Sequence, residues 1–380
     1  MERPLGIAIV GCGYWGTNYV RIFNELTESR VVAVCDRDAM RLQALKRWFP
    51  DTHLTTDLSE MAALDSVDAM VVCTPASTHF EVTQECLRAG KHALVEKPIT
   101  TDVAGATELI SIAESQQRVL MVGHTFLYNP AVRKVKEYIQ RGDAGRVYYL
   151  YARRTNMGPI RGDVNALWDL SPHDVSIFNF LLDATPEWVS AVGAKVLRKG
   201  REDVGFVSLG YYPDIVAHIH VSWADAYKVR ELVVVGSDKR IVFNDSDPLE
   251  RLRVFHKGVS VAEPEAPTYG EYQLLMRDGD IISPKIEVSE PLKNQCSEFL
   301  ECIRTGSRPV SDAIAGRDVV RVMEAIDFSM QYKGVPVPLE RGKRSAPKIS
   351  PTLGTVPIGS INGSSNGSSG IGVNGLATHH

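Results

Sequence analysis

The sequence predicts an α/β protein of two folded parts: a doubly wound parallel sheet over residues 1–125, then an α+β part over residues 126–344 built on a mainly antiparallel open sheet. Three observations predict it. The first 125 residues alternate short apolar runs with amphipathic stretches of helical spacing, the pattern of a parallel sheet covered by helices on both faces. From about Arg146, strand-like runs follow one another through turn residues, the pattern of an antiparallel sheet. A chain of 380 residues, 44% hydrophobic, is also more comfortable as two domains than as one, and two domains leave a cleft.

The elements follow in order. Leu5 to Val10, Val31 to Cys35, Ala69 to Cys73, Ala93 to Val95 and Val119 to Val122 read as strands of the first sheet. Between them, apolar residues recur at helical spacing, as in Met40, Leu42, Leu45, Trp48 and Phe49. In the second part the expected strands are Arg146 to Arg153, Val204 to Tyr211, Ile215 to Val221, Glu231 to Val235 and Ile241 to Asn244. Helices around Pro291 to Arg304 and Asp312 to Tyr332 close the folded chain. The Gly/Ser/Asn-rich stretch from Ser345 to His380 has too few apolar residues to offset the entropy of ordering, and we expect it to be disordered.

Charge and composition narrow the function. With 42 basic and 46 acidic side chains, a net charge of -4 and no long run of either sign, nothing points to a nucleic-acid surface or a polybasic membrane anchor. No apolar run approaches the ~20 residues of a membrane span, and the amino terminus lacks the apolar core of a secretory signal. Six scattered cysteines without any Cys-x-x-Cys suggest reduced thiols rather than a zinc site or disulfide framework. A cytoplasmic protein with a small-molecule partner is expected.

The segment "GIAIVGCGYWGTN" places Gly11-x-Gly13-x-x-Gly16, with Tyr14 and Trp15 inside it, between the first strand and a helix. The glycines permit a tight turn, backbone approach to a pyrophosphate and close helix packing, and phosphate sits at the helix's positive end, a Rossmann arrangement. The second strand ends in Asp36, twenty residues after Gly16, where a carboxylate accepts from both adenosine ribose hydroxyls and repels a 2′-phosphate. That favours NAD, while the adjacent Arg37 keeps NADP open. Ligands bind beyond the carboxyl ends of such strands, so Cys73, Thr74, Pro75 and the nearby His79 are cofactor-cleft candidates. The fourth expected strand runs into Glu96-Lys97-Pro98. Proline restricts the residue before it, so Lys97 is held where it emerges beside the nicotinamide. Glu96 either positions Lys97, touches a ribose or simply pairs with a neighbouring cation.

Together, "GCGYWGTN", "CTPASTHFEVTQECLRAGKHALVEKPIT", "WDLSPHDVSIFNFLL" and "DAIAGRDVVRVMEAIDFSMQYKGVPVPL" resemble the glucose-fructose oxidoreductase and inositol dehydrogenase family, Gfo/Idh/MocA, from Leu5 to about Leu339. The resemblance implies an Asp-x-x-x-His pair working beside the lysine, here Asp169 and His173. If one helix carries both, four-residue spacing stacks them on one face. Ser171-Pro172 reads equally as a helix start, which leaves Asp169 in the approach segment. In the implied chemistry His173 takes or gives the hydroxyl proton, Lys97 stabilises alkoxide character on the same oxygen, and Asp169 orients His173 or holds a neighbouring hydroxyl.

Around these, His124 and Tyr128 follow the fifth strand and either contact substrate hydroxyls or satisfy local hydrogen bonds. Arg153, Arg154, Asn156 and Arg161 approach the proposed pair. Their guanidinium forks match a phosphate or carboxylate unless alternate arginines point into solvent. His218 and His220 share one strand face, but nothing joins them at metal-ligand spacing, so no metal is expected.

These readings converge on an NAD-dependent dehydrogenase acting on a secondary hydroxyl of a sugar or nucleotide sugar. Resemblance to the nucleotide-sugar members favours position 3 of a UDP-sugar. The alternatives are an inositol dehydrogenase, an NADP-dependent sugar ketoreductase and a non-catalytic dinucleotide-sensing regulator. The family resemblance also implies a homodimer or homotetramer through the second sheet, with Trp223 among the residues buried there.

Overall fold

The computed structural model describes residues 3–158, 160–162, 164–197, 200–261 and 274–339. The expectation of disorder for Ser345 to His380 lies outside them.

Six parallel strands form the first sheet: β1 (Leu5–Val10), β2 (Ser29–Cys35), β3 (His53–Thr55), β4 (Ala69–Val72), β5 (His92–Val95) and β6 (Leu120–Val122). Their spatial order is β3-β2-β1-β4-β5-β6, the doubly wound arrangement, with its reversal between β1 and β4. Strands β4 and β6 are wholly buried, so they carry unbroken apolar residues rather than alternation. Helices α1 (Tyr14–Glu25), α2 (Ala39–Lys46), α3 (Leu58–Ala62), α4 (His79–Arg88) and α5 (Val103–Ser115) make the crossovers. Asp38, Asp57 and Asp102 cap α2, α3 and α5 through their carboxylates. β3 had no signal in the sequence, because three residues are too few for a period to register.

Helix α6 (Pro130–Gln140) leads to the second sheet. Its strands are β7 (Val147–Met157), β8 (Trp188–Ala194), β9 (Val204–Tyr211), β10 (Ile215–Ser222), β11 (Ala224–Gly236), β12 (Arg240–Asn244) and β13 (Leu252–Phe255); β14 (Gly258–Val261) and β15 (Leu274–Arg277) form a separate ribbon. With β16 (Ile281–Ile282) and β17 (Val337–Pro338), nine strands take the order β16-β13-β12-β11-β7-β10-β9-β8-β17. Every pair is antiparallel except β7 with β10. On one face Leu150, Ala152, Ala217 and Ile219 are buried beneath α7 (Ala166–Leu182). On the other, Tyr149, Phe206 and Val216 are exposed.

Trp223 is 2% exposed within the single chain, which corrects its expected burial against another subunit.

The two parts are not successive blocks. Helix α8 (Pro291–Thr305) lies against α1, and α9 (Ala313–Gln331) packs on α5 as well as on β8. The segment between them closes the β6 edge: Val122 N donates to Ser311 O, Ser311 Oγ donates to Val122 O, and Met121 bridges to Asp312.

Candidate active site

The glycine turn follows β1 at the reversal of strand order. Gly11 has φ +92°, and a Cβ there would meet the Cys73 carbonyl at 2.8 Å. At Gly16 a Cβ would lie 1.9 Å from Gly11 O, so helix and turn touch through backbone alone. Gly13 differs. A Cβ there would meet only the Arg41 guanidinium at 3.9 Å, so the protein's own packing does not demand glycine. A pyrophosphate approaching the amides at the start of α1 does demand it. Asp36 closes this corner, accepting from Cys12 N at 2.6 Å and Asp38 N at 2.9 Å, and each oxygen keeps a lone pair for a ribose hydroxyl. These residues fit a dinucleotide. Arg37 is exposed, Thr74 is half-buried and Pro75 is exposed on the same rim. Tyr14 and Trp15 pack edge to face, their centroids 5.5 Å apart, in exposed positions on the first turn of α1.

Lys97 follows β5 and is almost enclosed. Its Nζ donates to Asp169 O at 2.8 Å and lies 3.5 Å from Asp169 Oδ1. Asp169 and His173 stand on one continuous helix, capped by Asn165, whose side chain accepts from Trp168 N. The one-helix reading therefore holds, with Pro172 inside the helix. Proline there removes the N–H that would bond the Trp168 carbonyl. The neighbouring carbonyl, that of Asp169, is the one that receives the lysine. Arg161 Nη1 reaches the same Asp169 Oδ1 at 3.3 Å, so the carboxylate sits between two cations.

Two imidazoles complete the cluster. His124, after β6, is 1% exposed with neither ring nitrogen bonded, and His173 Nδ1 is likewise enclosed without a partner. Burial, with the Lys97 charge nearby, pushes His124 down to about 3. Burial, then Lys97 and Arg154, holds His173 well below the usual histidine value. Both rings are neutral at pH 7. Burial also lowers Lys97, opposed by the charges of Asp169 and Glu96. An ammonium near two neutral imidazoles, each with a ring nitrogen lacking a partner, is an arrangement for an oxygen ligand carrying a proton to be moved.

The comparisons with known proteins agree with this chemistry. Residues 5–124 match the model described as "Oxidoreductase family, NAD-binding Rossmann fold", and residues 132–242 match that family's C-terminal domain. A curated relative, 4-carboxy-2-hydroxymuconate-6-semialdehyde dehydrogenase of Sphingobium sp., is 30% identical over 339 residues, covering 86% of this chain and 99% of its own. The chain is a Gfo/Idh/MocA oxidoreductase.

A second relative, UDP-N-acetylglucosamine 3-dehydrogenase of Acidithiobacillus ferrooxidans, is 28% identical over 320 residues, 82% of this chain and 93% of its own. Among solved structures, the Bordetella pertussis WlbA dehydrogenase with NADH and UDP-GlcNAcA superposes with TM-score 0.73 at 21% identity, covering 89% of this chain and 98% of its own. This oxidoreductase is thus NAD-binding, with the family's two-part fold.

Not every expected residue joins the cluster. Arg153 is exposed on the outer sheet face beside His220, because side chains alternate along β7 and Arg154 takes the inner position. Tyr128 is buried, and its hydroxyl lies 3.0 Å from Ser311 Oγ and 3.2 Å from Glu298 Oε1, so it ties the segment after β6 to α8 and to the turn before α9. His79 is a brace rather than a cofactor contact. Its nitrogens lie 2.6 Å from Pro98 O and 2.9 Å from Thr74 O, spanning the ends of β4 and β5. Cys73 shows its backbone to the glycine turn. Glu96 is buried behind the lysine, accepting from Tyr19 Oη at 2.8 Å and from Lys97 N at 3.2 Å. Tyr19 in turn accepts from Gln295 of α8 at 2.9 Å. Asn156 donates to Gly158 O and leaves Oδ1 buried without a partner. His218 and His220 stack on Phe206, the nearer ring at 4.5 Å. Arg154 is buried on the inner face of β7 against Asp174, and strand parity is the sequence signal that separates it from Arg153.

Proposed function

We propose that this enzyme moves hydride between NAD and a secondary carbinol carbon of a sugar or nucleotide sugar, with position 3 of a UDP-sugar the favoured site. The observation that carries the reading is the Lys97 ammonium, anchored on Asp169 and near two neutral imidazoles. Bound nicotinamide supplies the hydride acceptor. The chain's own groups handle the oxygen. Lys97 donates to the carbinol oxygen and stabilises negative charge as it develops there, and the lysine's desolvation strengthens the interaction. His173 is neutral and takes the hydroxyl proton on its ring. Asp169 holds the ammonium in place, and His124 offers a second nitrogen to a neighbouring hydroxyl. Gly11, Gly13, Gly16 and Asp36 hold the dinucleotide.

Asp169 suits the hydroxyls of a polyhydroxylated ring, and the Arg161 guanidinium beside it suits an anionic substituent on that ring. Two relatives support adjacent substrate classes: one is named for a UDP-sugar and the other for a carboxylated semialdehyde. The test is NADH formation with a panel of UDP-sugars, inositols and carboxylated semialdehydes. His173→Ala is expected to keep NADH binding and lose turnover by at least about a hundredfold; near-normal turnover rejects the assignment.

We also infer a homo-oligomer formed through the outer face of the nine-stranded sheet, where Tyr149, Phe206, Val216 and Tyr227 are exposed. Six free cysteines support a reducing, cytoplasmic setting. No described helix is long and apolar enough to cross a membrane.

A further inference from the structure

Arg154 lies on the inner face of β7 and is 7% exposed. Its guanidinium grips Asp174 with two bonds, Nη2 to Oδ1 at 2.8 Å and Nε to Oδ2 at 3.2 Å. Asp174 is the residue after His173 on α7. The same guanidinium lies over the Phe126 ring, 4.5 Å from its centroid. Phe126 meets the His173 ring at 5.1 Å and 66°. Sheet, helix and the segment after β6 therefore close a loop of contacts that runs from Arg154 through Asp174 and the helix to His173, then through Phe126 back to Arg154.

A buried ion pair contributes little to stability against an apolar pair of the same shape, because desolvating two charges offsets their attraction. Its geometry is another matter. The planar fork fixes Asp174, hence the turn of α7 that carries His173, while the guanidinium's contact with Phe126 restrains the ring against which His173 rests.

We propose that Arg154 is a positioning residue of the reaction, which sets the orientation of the His173 ring through Asp174 and Phe126 and adds a fixed positive charge beside it. This rests on the reading of His173 as the proton acceptor. The charged and titratable groups acting on His173 are Lys97 after β5, His124 after β6, Arg154 on β7 and Arg230 on β11, while Asp169 and Asp174 stand on its own helix. Each of the three cations opposes protonation of the ring, Arg230 while paired with Asp245 at 3.7 Å. Arg154 thus helps keep His173 unprotonated and able to accept.

The sign of the effect follows. Arg154→Met removes a repulsion and uncovers Asp174, so His173 protonates more readily and the acid limb of kcat/KM moves to higher pH. Asp174→Asn keeps a side chain of the same shape against Arg154 but removes the compensating anion, so the limb moves to lower pH. Turnover at neutral pH is expected to fall about tenfold or more in Arg154→Met, with partial recovery in Arg154→Lys, which restores charge without the fork. The direct readout is the NMR titration of the His173 ring in the free protein, its signal identified by its loss in His173→Gln. A residue with a merely structural role would lower the melting temperature and leave the titration where it was. Opposite displacements in the two variants support the proposal, and an unmoved His173 titration in Asp174→Asn overturns it even if Arg154→Met fails to fold. Should His173→Gln keep its turnover, the base assignment itself is wrong, which is a separate failure.

Discussion

The two faces of the nine-stranded sheet use the same strands for opposite ends. On the inner face, Arg154 of β7 is buried in a bidentate pair with Asp174, and Gly205 of β9 lets Leu167 of α7 sit down on the sheet. One residue along, on the outer face, Arg153 and Phe206 meet His220 near solvent. The buried arginine and the contact with α7 belong to one parity of the strands. The other parity carries the exposed Tyr149, Phe206 and Val216, the face proposed above for association, so substitutions separated by a single residue should differ in kind.

The largest expected effect is on the inner face. Asp174→Ala leaves a buried guanidinium unpaired and should cost about 3–5 kcal/mol, read from urea unfolding; a loss no larger than that of an outer-face variant breaks the contrast. Next is Gly205→Ala. The new methyl would meet Leu167 at 2.6 Å, and overpacking of this kind costs about 1–3 kcal/mol.

A smaller effect separates the histidines. His124, with a folded value of about 3, lies below its unfolded value, so the unfolded chain binds the proton first. Stability should therefore be unaffected above about pH 6.5 and fall as pH drops toward about 3, by at most about 1.4 kcal/mol per pH unit for this group. His124→Leu should flatten that slope in unfolding measured at pH 7 and pH 5, whereas His220→Leu, on the half-exposed outer ring, should change it less. Smallest of all, Phe206→Ser should alter the unfolding of the single chain by no more than about 0.5 kcal/mol. Its mass by light scattering should nevertheless fall, and an unchanged mass would sharpen the contrast by removing association from the outer face.

What could be read from the sequence divides along similar lines. The glycine turn, Asp36 and the lysine before Pro98 were legible because each is a local pattern at a strand's carboxyl end, and topology carries it to the cleft. The strand from Val204 to Tyr211 was read to the residue for the same reason, its ends being marked by turns. β7 was read as ending at Arg153 but continues to Met157, so the alternation that separates Arg153 from Arg154 could not be assigned a side. Asp174, His79 and Tyr128 depend on partners 20, 19 and 183 residues away, and no local rule reports such distances. Pro172 shows the converse: local rules allowed a helix start, and the tertiary contact of Lys97 with Asp169 O accompanies an uninterrupted helix.

The closing of the β6 edge by Ser311 has a consequence for how the molecule is made. A ribosome releases the nucleotide-binding half first, yet that half lacks its last wall until some two hundred further residues have emerged. Contacts of such long sequence separation form late and slowly. A nascent chain stopped before Ser311 would thus present an unpaired strand margin, and the cofactor-binding half gains that wall only after strands β7 to β16 have been made.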